Sequence, residues 1–310
     1  MNERALTFGD ERHLVGILTE PESVGTGGEG NLAGGGDDER RPGVIFLNSG
    51  ILHRVGASRI YVKLARRLAA EGWASFRFDH AGIGDSDVRR DDRSFLESAM
   101  AEARAAMDLL EERNGIRRFV LAGLCSGADM AYWVALEDER VVGLVQIDPF
   151  VYRNRKATLR HYLPRLLSPA AWGRSIRART NQVVCRLRGQ GGAEDPASSV
   201  WVAPEYTRIF PPREELARGF QALRARGVAF WVFITGDMGE IVNYADQYAE
   251  TFDDVPWGDA LHVDFAPGAN HTVTGLPDQK RVAEGVAGWM AGRWGGRDES
   301  LQREAEVVGS

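Results

Sequence analysis

Two rhythms alternate along this chain. Val44–Leu47, Ala74–Asp79, Arg118–Leu124, Val141–Ile147, Val228–Ile234 and Leu261–Phe265 are short stretches dominated by apolar residues. Each is read as a strand, and the unbroken Val44–Leu47 as a central parallel strand covered on both faces. Between them apolar residues recur at helical spacing. Ile60, Leu64 and Leu68 do so before Gly72, and Phe95, Ala99, Ala103, Ala106 and Leu110 do so before Asn114-Gly115. Further helices are predicted over 128–136, 213–226, 243–252 and 278–293, and two short strands over 5–20 around a Gly9-Asp10 turn. Strands alternating with helices give a mostly parallel, doubly wound α/β sheet. Such sheets place their sites at the carboxyl ends of the strands.

The rhythm breaks over 150–211, where aromatics, prolines and arginines scatter without a strand. This stretch is expected to form an inserted helical cap over a core made of 1–149 and 212–294. Residues 21–42 are rich in Gly, Glu and Asp, and the stretch 295–310 is polar. Both are expected to be mobile. No internal repeat is visible.

The strand over 118–124 runs into Gly123-Leu124-Cys125-Ser126-Gly127 and then a helix. Gly, Cys and Gly fill the first, third and fifth places of the G-x-S-x-G nucleophile elbow, with cysteine where serine usually stands. The nucleophile of an elbow sits in a strained conformation, and side chains two residues to either side would collide. Centring the elbow on Ser126 would put Leu124 at a flanking place, where it is too large. The bland alternative is an ordinary turn with an inert buried cysteine.

Composition narrows the setting. The 310 residues carry 38 Lys and Arg against 44 Asp and Glu, a net charge of −6 that gives no reason to expect nucleic acid. Two cysteines, Cys125 and Cys185, make no disulfide framework, so a reducing cytoplasm is expected. Met1–Arg4 leads into no apolar signal region, and no apolar run approaches the ~20 residues of a membrane span. Gly82-Ile83-Gly84-Asp85 lacks the rest of a nucleotide-binding pattern and is read as a structural loop. No group of residues has metal-ligand spacing, and no cofactor is expected.

The sequence resembles the α/β-hydrolases. The likeness rests on Asn48-Ser49-Gly50, Phe78-Asp79 with Gly82-Ile83-Gly84-Asp85-Ser86, the elbow, and Gly268-Ala269-Asn270-His271. The wording of the first half is similar to exosortase-associated and serine-aminopeptidase-like hydrolases. Cysteine at the elbow is similar to dienelactone hydrolases, to carrier-protein aminoacyl shuttles, and to the Dieckmann cyclases of polyketide pathways. The resemblance implies an α/β-hydrolase fold with Cys125 as nucleophile and His271 as base. His13 and His262 are read as strand residues, His80 and His161 as structural or surface groups. Three carboxylates compete for the acid. Asp148 closes the strand after the elbow, as in some lipases, while Asp237 and Glu240 occupy the more usual place after Ile234. The oxyanion hole is expected from the backbone N–H of Ser126 and of Ile51 or its neighbour. His53 stands in the same loop as a candidate substrate contact, or as a plain loop histidine.

Between 151 and 190 there are ten Arg or Lys and no Asp or Glu. Arg153 and Arg155 open this block, and Tyr162 and Trp172 are candidates to line an acyl pocket with it. Arginine suits phosphate and carboxylate partners, such as an acyl carrier protein or a coenzyme A thioester. A solvated helical face is the bland alternative. The expected function is therefore a Cys-His-Asp enzyme acting through an acyl-cysteine on a thioester-linked acyl chain, by hydrolysis, transfer or Dieckmann-type cyclisation. The alternatives are a dienelactone-type carboxylesterase and a non-catalytic binding module.

Overall fold

The computed structural model describes residues 1–22, 41–89, 92–166, 208–239 and 241–295. Eight strands form one sheet: β1 (Asn2–Phe8), β2 (Leu14–Glu20), β3 (Gly43–Leu47), β4 (Ser75–Phe78), β5 (Phe119–Leu124), β6 (Val141–Ile147), β7 (Ala229–Thr235) and β8 (Leu261–Ala266). Their spatial order is β1-β2-β4-β3-β5-β6-β7-β8. β1 pairs antiparallel with β2, and β2 with β4; every other pairing is parallel. β1 extends over the whole of 2–8, and His13 falls in the β1–β2 connection instead of a strand.

The unbroken apolar runs follow from coverage on both sides. Ile45, Leu47, Leu121 and Leu144 face one core with α2 (Phe95–Asn114), α3 (Ser126–Glu137) and α5 (Arg213–Ala225). Val44, Phe46, Val120, Ala122 and Val145 face the other, with α1 (Ile60–Ala70) and α7 (Leu276–Trp294). Successive residues of a strand point to opposite faces, so β3 and β5, buried on both, are apolar throughout, while the buried Arg77 of β4 is hydrogen-bonded to Thr19. α2 starts where its sequence says it should. Ser94 and Glu97 form a reciprocal capping box, and Gly115 ends the helix in a left-handed conformation.

The helix expected over 243–252 is present only as α6 (Gln247–Thr251). The buried Gln247 amide accounts for the shortfall. Its Oε1 accepts the Asn243 N–H at 3.0 Å and its Nε2 donates to the Ile241 carbonyl at 2.5 Å, so a side chain holds backbone that a helix would otherwise satisfy.

Of the expected cap, residues 167–207 lie outside the described residues, as does Trp172; the described part carries α4 (Arg155–Leu166). The segments 23–40 and 296–310, expected to be mobile, also lie outside them, as do Cys185 and Glu240. Among the described residues no helix is long and apolar enough to cross a membrane.

β5 and α3 meet at a close crossing. A Cβ on Gly123 would lie 2.2 Å from the Gly127 carbonyl carbon, and one on Gly127 would lie 2.6 Å from the Leu47 oxygen. Neither backbone neighbour can swing away as a side chain would. Gly127→Ala is therefore expected to lower stability by about 1–3 kcal/mol. Gly288, exposed in α7 with nothing within 4 Å of its would-be Cβ, should gain roughly 0.5–1 kcal/mol as Ala. Thermal unfolding of the two variants checks the contrast.

Candidate active site

Cys125 occupies the turn between β5 and α3 with φ 55° and ψ −120°. Its carbonyl accepts the N–H groups of Ala128 and Asp129, so it serves as the cap of α3. The N–H groups of Ser126 and Gly127 have no preceding helical turn to bond to and emerge from the helix N-terminus beside the thiol. Ser126 turns its hydroxyl elsewhere: Oγ accepts the Gly50 N–H at 2.7 Å. That bond ties the β3–α1 loop to the elbow. The buried Tyr61 adds a second tie, donating to the Leu47 carbonyl at 3.0 Å and accepting the Leu124 N–H at 2.9 Å.

His271 lies in the loop after β8, with its ring against the Cys125 thiol. Its Nδ1 meets Asp148 Oδ2 at 2.6 Å. Asp148 follows β6, has left-handed backbone (φ 48°) and is fully buried. Thr235 at the end of β7 donates both its N–H (2.8 Å) and its hydroxyl (2.7 Å) to the same carboxylate. Three donors thus converge on one buried carboxylate.

Asp237 plays a different part. Its Oδ2 accepts the backbone N–H of His271 at 2.7 Å, which fixes the loop and leaves the ring to Asp148. Gly236 braces the same loop, donating its N–H to the Ala269 carbonyl at 2.8 Å.

The other candidates spread outward from this centre. Ile51 is exposed, on the loop that Gly50 anchors, and His53 is exposed two residues further on. Tyr162 is exposed on α4, its ring against His161. Arg153 precedes α4 and Arg155 opens it. Part of the basic block is satisfied within the chain. Lys156 pairs with Glu250 at 2.6 Å, and Arg160 stacks 5.3 Å from the centre of the Tyr244 ring. His80 is buried with Nδ1 2.8 Å from Glu102, and His262 stacks on Trp231, so neither belongs to the site. Gly84 closes its loop directly over the Asp79 carboxylate, where a Cβ would lie 2.3 Å from Oδ2. Among the described residues no group of His, Cys, Asp and Glu is arranged to hold a metal ion.

Two site residues were not singled out by the sequence. Arg208 donates from Nε and Nη2 to Asp129, the latter at 2.8 Å, and its Nη1 lies 3.9 Å from Cys125 Sγ. The one sequence signal was Asp129 itself, a carboxylate in the first turn of an otherwise apolar helix. Arg208 lies beyond the basic block and carried no signal.

These neighbours set the charges. Burial pushes the Cys125 thiol up, but the His271 hydrogen bond and the Arg208 charge outweigh it and leave the thiol below its ordinary value. Hydrogen bonds to Asp148 and then Cys125 push His271 up to about 10, against the cost of burial. Burial raises Asp129 to about 6 in spite of Arg208. A thiolate beside an imidazolium is the resting arrangement these shifts favour.

Residues 42–203 match the Hydrolase_4 family, described as serine aminopeptidase, S33. That is over half of the chain, and the chain belongs to this family. No curated protein matches it in sequence. Among solved structures it is similar to an esterase from Pyrococcus furiosus, at 13% identity and TM-score 0.56, covering 95% of this chain and 91% of that one. It is also similar to the esterase domain of a Rhodothermus marinus protein, at 16% identity and TM-score 0.51, covering 93% and 98%. An α/β serine hydrolase homologue from Coxiella burnetii matches at 13% identity and TM-score 0.52, covering 92% and 98%. The fold is the α/β-hydrolase fold.

A raised histidine stabilises the folded chain fully below its ordinary value of 6.5, and that contribution is lost as pH rises through about 10. The melting-temperature gap between wild type and His271→Asn should therefore be widest at low pH, near 6, and narrow steadily toward about 10. Thermal unfolding of both proteins across that range checks it.

Proposed function

We propose that this chain hydrolyses activated acyl compounds, carboxylic esters foremost, through an acyl-cysteine on Cys125. One observation carries the reading: the Cys125 thiol, the His271 ring and the buried Asp148 carboxylate stand in a row at the N-terminus of α3, with Nδ1 of the ring 2.6 Å from Asp148. The cysteine departs from the serine in the family's name but not from the logic of the triad.

In the proposed reaction the Cys125 thiolate attacks the ester carbonyl and a C–S bond forms. The carbonyl oxygen becomes an oxyanion facing the Ser126 N–H, with a second donor from the loop after Gly50. Collapse breaks the C–O bond, and the leaving alkoxide takes the proton from Nε2 of His271. A water molecule then gives a proton back to Nε2 and attacks the acyl carbon. The C–S bond breaks, the carboxylic acid leaves, and the thiolate–imidazolium pair returns. Asp148 holds the ring by Nδ1 throughout.

The cysteine favours a second reading, acyl transfer or Dieckmann-type ring closure from a thioester on coenzyme A or an acyl carrier protein. Thiolates exchange with thioesters readily and leave well, and the arginines of 151–190 would suit a phosphate-bearing carrier arm. A reducing, cytoplasmic setting would keep the thiol free in either case.

Intact-mass analysis after incubation with a p-nitrophenyl ester and with an N-acetylcysteamine thioester tests both. An acyl adduct is expected on wild type and not on Cys125→Ala, and its release as free acid from the ester identifies hydrolysis. An adduct that persists until an acceptor is added identifies transfer. A Cys125 inert to both probes and to iodoacetamide would point to a binding module. For the acid, Asp148→Asn should lower kcat about a thousandfold or more, because the ring loses its fixed tautomer. Asp237→Asn should cost less than about tenfold, since it holds only loop backbone. Abolition of turnover by the Asp237 change alone would overturn the assignment.

A further inference from the structure

Arg208 has no place in a nucleophile–base–acid row, yet it is one of the most buried cations near the site, 15% exposed at its side chain. Its orientation is fixed from several sides. Nε and Nη2 grip Asp129, itself anchored by the Phe150 N–H at 3.1 Å. Nη2 also donates to the Asp148 carbonyl at 3.1 Å. The rings of Phe150 and Phe210 lie 5.1 and 4.8 Å from the guanidinium carbon. With Nε and Nη2 turned to the carboxylate, the opposite corner, Nη1, is the one presented to Cys125 Sγ at 3.9 Å. The carboxylate thus lies on the far side of the cation from the sulfur, and the pair presents its positive end to the thiol.

We propose that Arg208, oriented by Asp129, is a second charge partner of Cys125 that favours the ionised sulfur through a contact separate from that of His271. The charged groups around the sulfur are His271 from the β8–α7 loop, Arg208 from the far end of the 150–211 segment, and, beyond Arg208, Asp129 from α3. Behind them stand Asp148, through His271, and the buried Tyr61 on α1. Of these only His271 and Arg208 are cations. The same contact acts twice in the proposed cycle. It stabilises the attacking thiolate, and it receives the sulfur's negative charge again when the C–S bond breaks. An opposite charge this near shifts a titrating group by about 1 unit or more. A serine hydroxyl, far harder to ionise, would gain no resting anion from it, so the device matches a cysteine.

This inference takes Cys125 as the site's reactive group, but its test needs no turnover. The rate of iodoacetamide alkylation of Cys125 is followed against pH by intact mass, alongside the ultraviolet absorbance of the thiolate. In the His271→Ala background, where burial is free to lift the thiol, adding Arg208→Met should raise the midpoint by about 1 unit more. Arg208→Met should raise the wild-type midpoint by about 1 unit, and Arg208→Lys should recover part of that shift. The pair variant Arg208→Gln with Asp129→Asn removes both charges, leaves no buried ion alone, and should raise the midpoint as Arg208→Met does. A His271→Ala midpoint that Arg208→Met leaves unmoved would overturn the proposal. So would folded Arg208 variants whose profile matches wild type. A midpoint that follows Arg208 while no acyl adduct forms would sustain this inference and sink the proposed reaction; an adduct with a midpoint indifferent to Arg208 would do the reverse.

Discussion

The site depends first on how closely three pieces of backbone pass one another. At the elbow, β5 turns into α3 with Gly127 against Gly123 on one side and against the carbonyls of Leu47 and Asn48 on the other. No side chain fits at either glycine. Because the crossing is that tight, Cys125 is held in a positive-φ conformation that costs of order 1–3 kcal/mol and persists only where its surroundings over-determine it. The over-determination is visible in the bonds around it. Cys125 N–H continues the β5–β6 ladder to the Ile147 carbonyl at 2.8 Å, its own carbonyl caps α3, and Ser126 and Tyr61 tie the neighbouring loop and strands to it. Strain in one residue is distributed over bonds from four elements, and the thiol is left at the helix N-terminus with its direction fixed.

Around that thiol the ionisable groups alternate in sign: Asp148, His271, Cys125, Arg208, Asp129. Each neighbouring pair is in contact. Any one of these charges buried alone would cost several kcal/mol. In alternation each is solvated by its neighbours, which is how five such groups share one region of a doubly covered sheet. The two ends are sealed differently. Asp148 has Thr235 donors and no exposure, whereas Asp129 has the Phe150 N–H and a raised value near 6. The row is thus held by more donors at the Asp148 end than at the other.

The sheet was legible in the sequence because burial on both faces leaves few polar positions in its central strands, and a run this short and this apolar has few places to go except between two layers of helices. The elbow was legible because its glycines answer a steric demand that few other residues can meet. Other features left weaker marks. The helix over 243–252 read as periodic, but Gln247 satisfies the preceding loop by side chain, and periodicity does not register a buried amide. Asp148 and Asp237 both follow a strand and both touch His271, one at the ring and one at the backbone; that difference is a matter of loop path, not of residue type. Arg208 was invisible for the same reason. It meets Cys125 across 83 positions of chain, through a segment without a repeating pattern.

What brings Asp148 after β6, and not a carboxylate after β7, to the His271 ring is the division of labour at the end of β7. Thr235 spends its N–H and hydroxyl on the Asp148 carboxylate, Gly236 donates to the Ala269 carbonyl, and Asp237 accepts the His271 N–H. Three consecutive residues therefore hold Asp148 on one side and the His271 loop on the other. A Cβ at Gly236 would lie 2.0 Å from the Pro267 oxygen, so the two loops cannot move apart or together without losing these bonds. A carboxylate from this same strip would have to reach the ring while its own backbone was already committed to the loop below it. Asp148 approaches from the neighbouring strand end in a left-handed turn and meets Nδ1 from the side. In this geometry β7 contributes no member of the row; it is the template against which Asp148 and His271 are registered, and the left-handed backbone at Asp148 accompanies the turn of its carboxylate back across that strand.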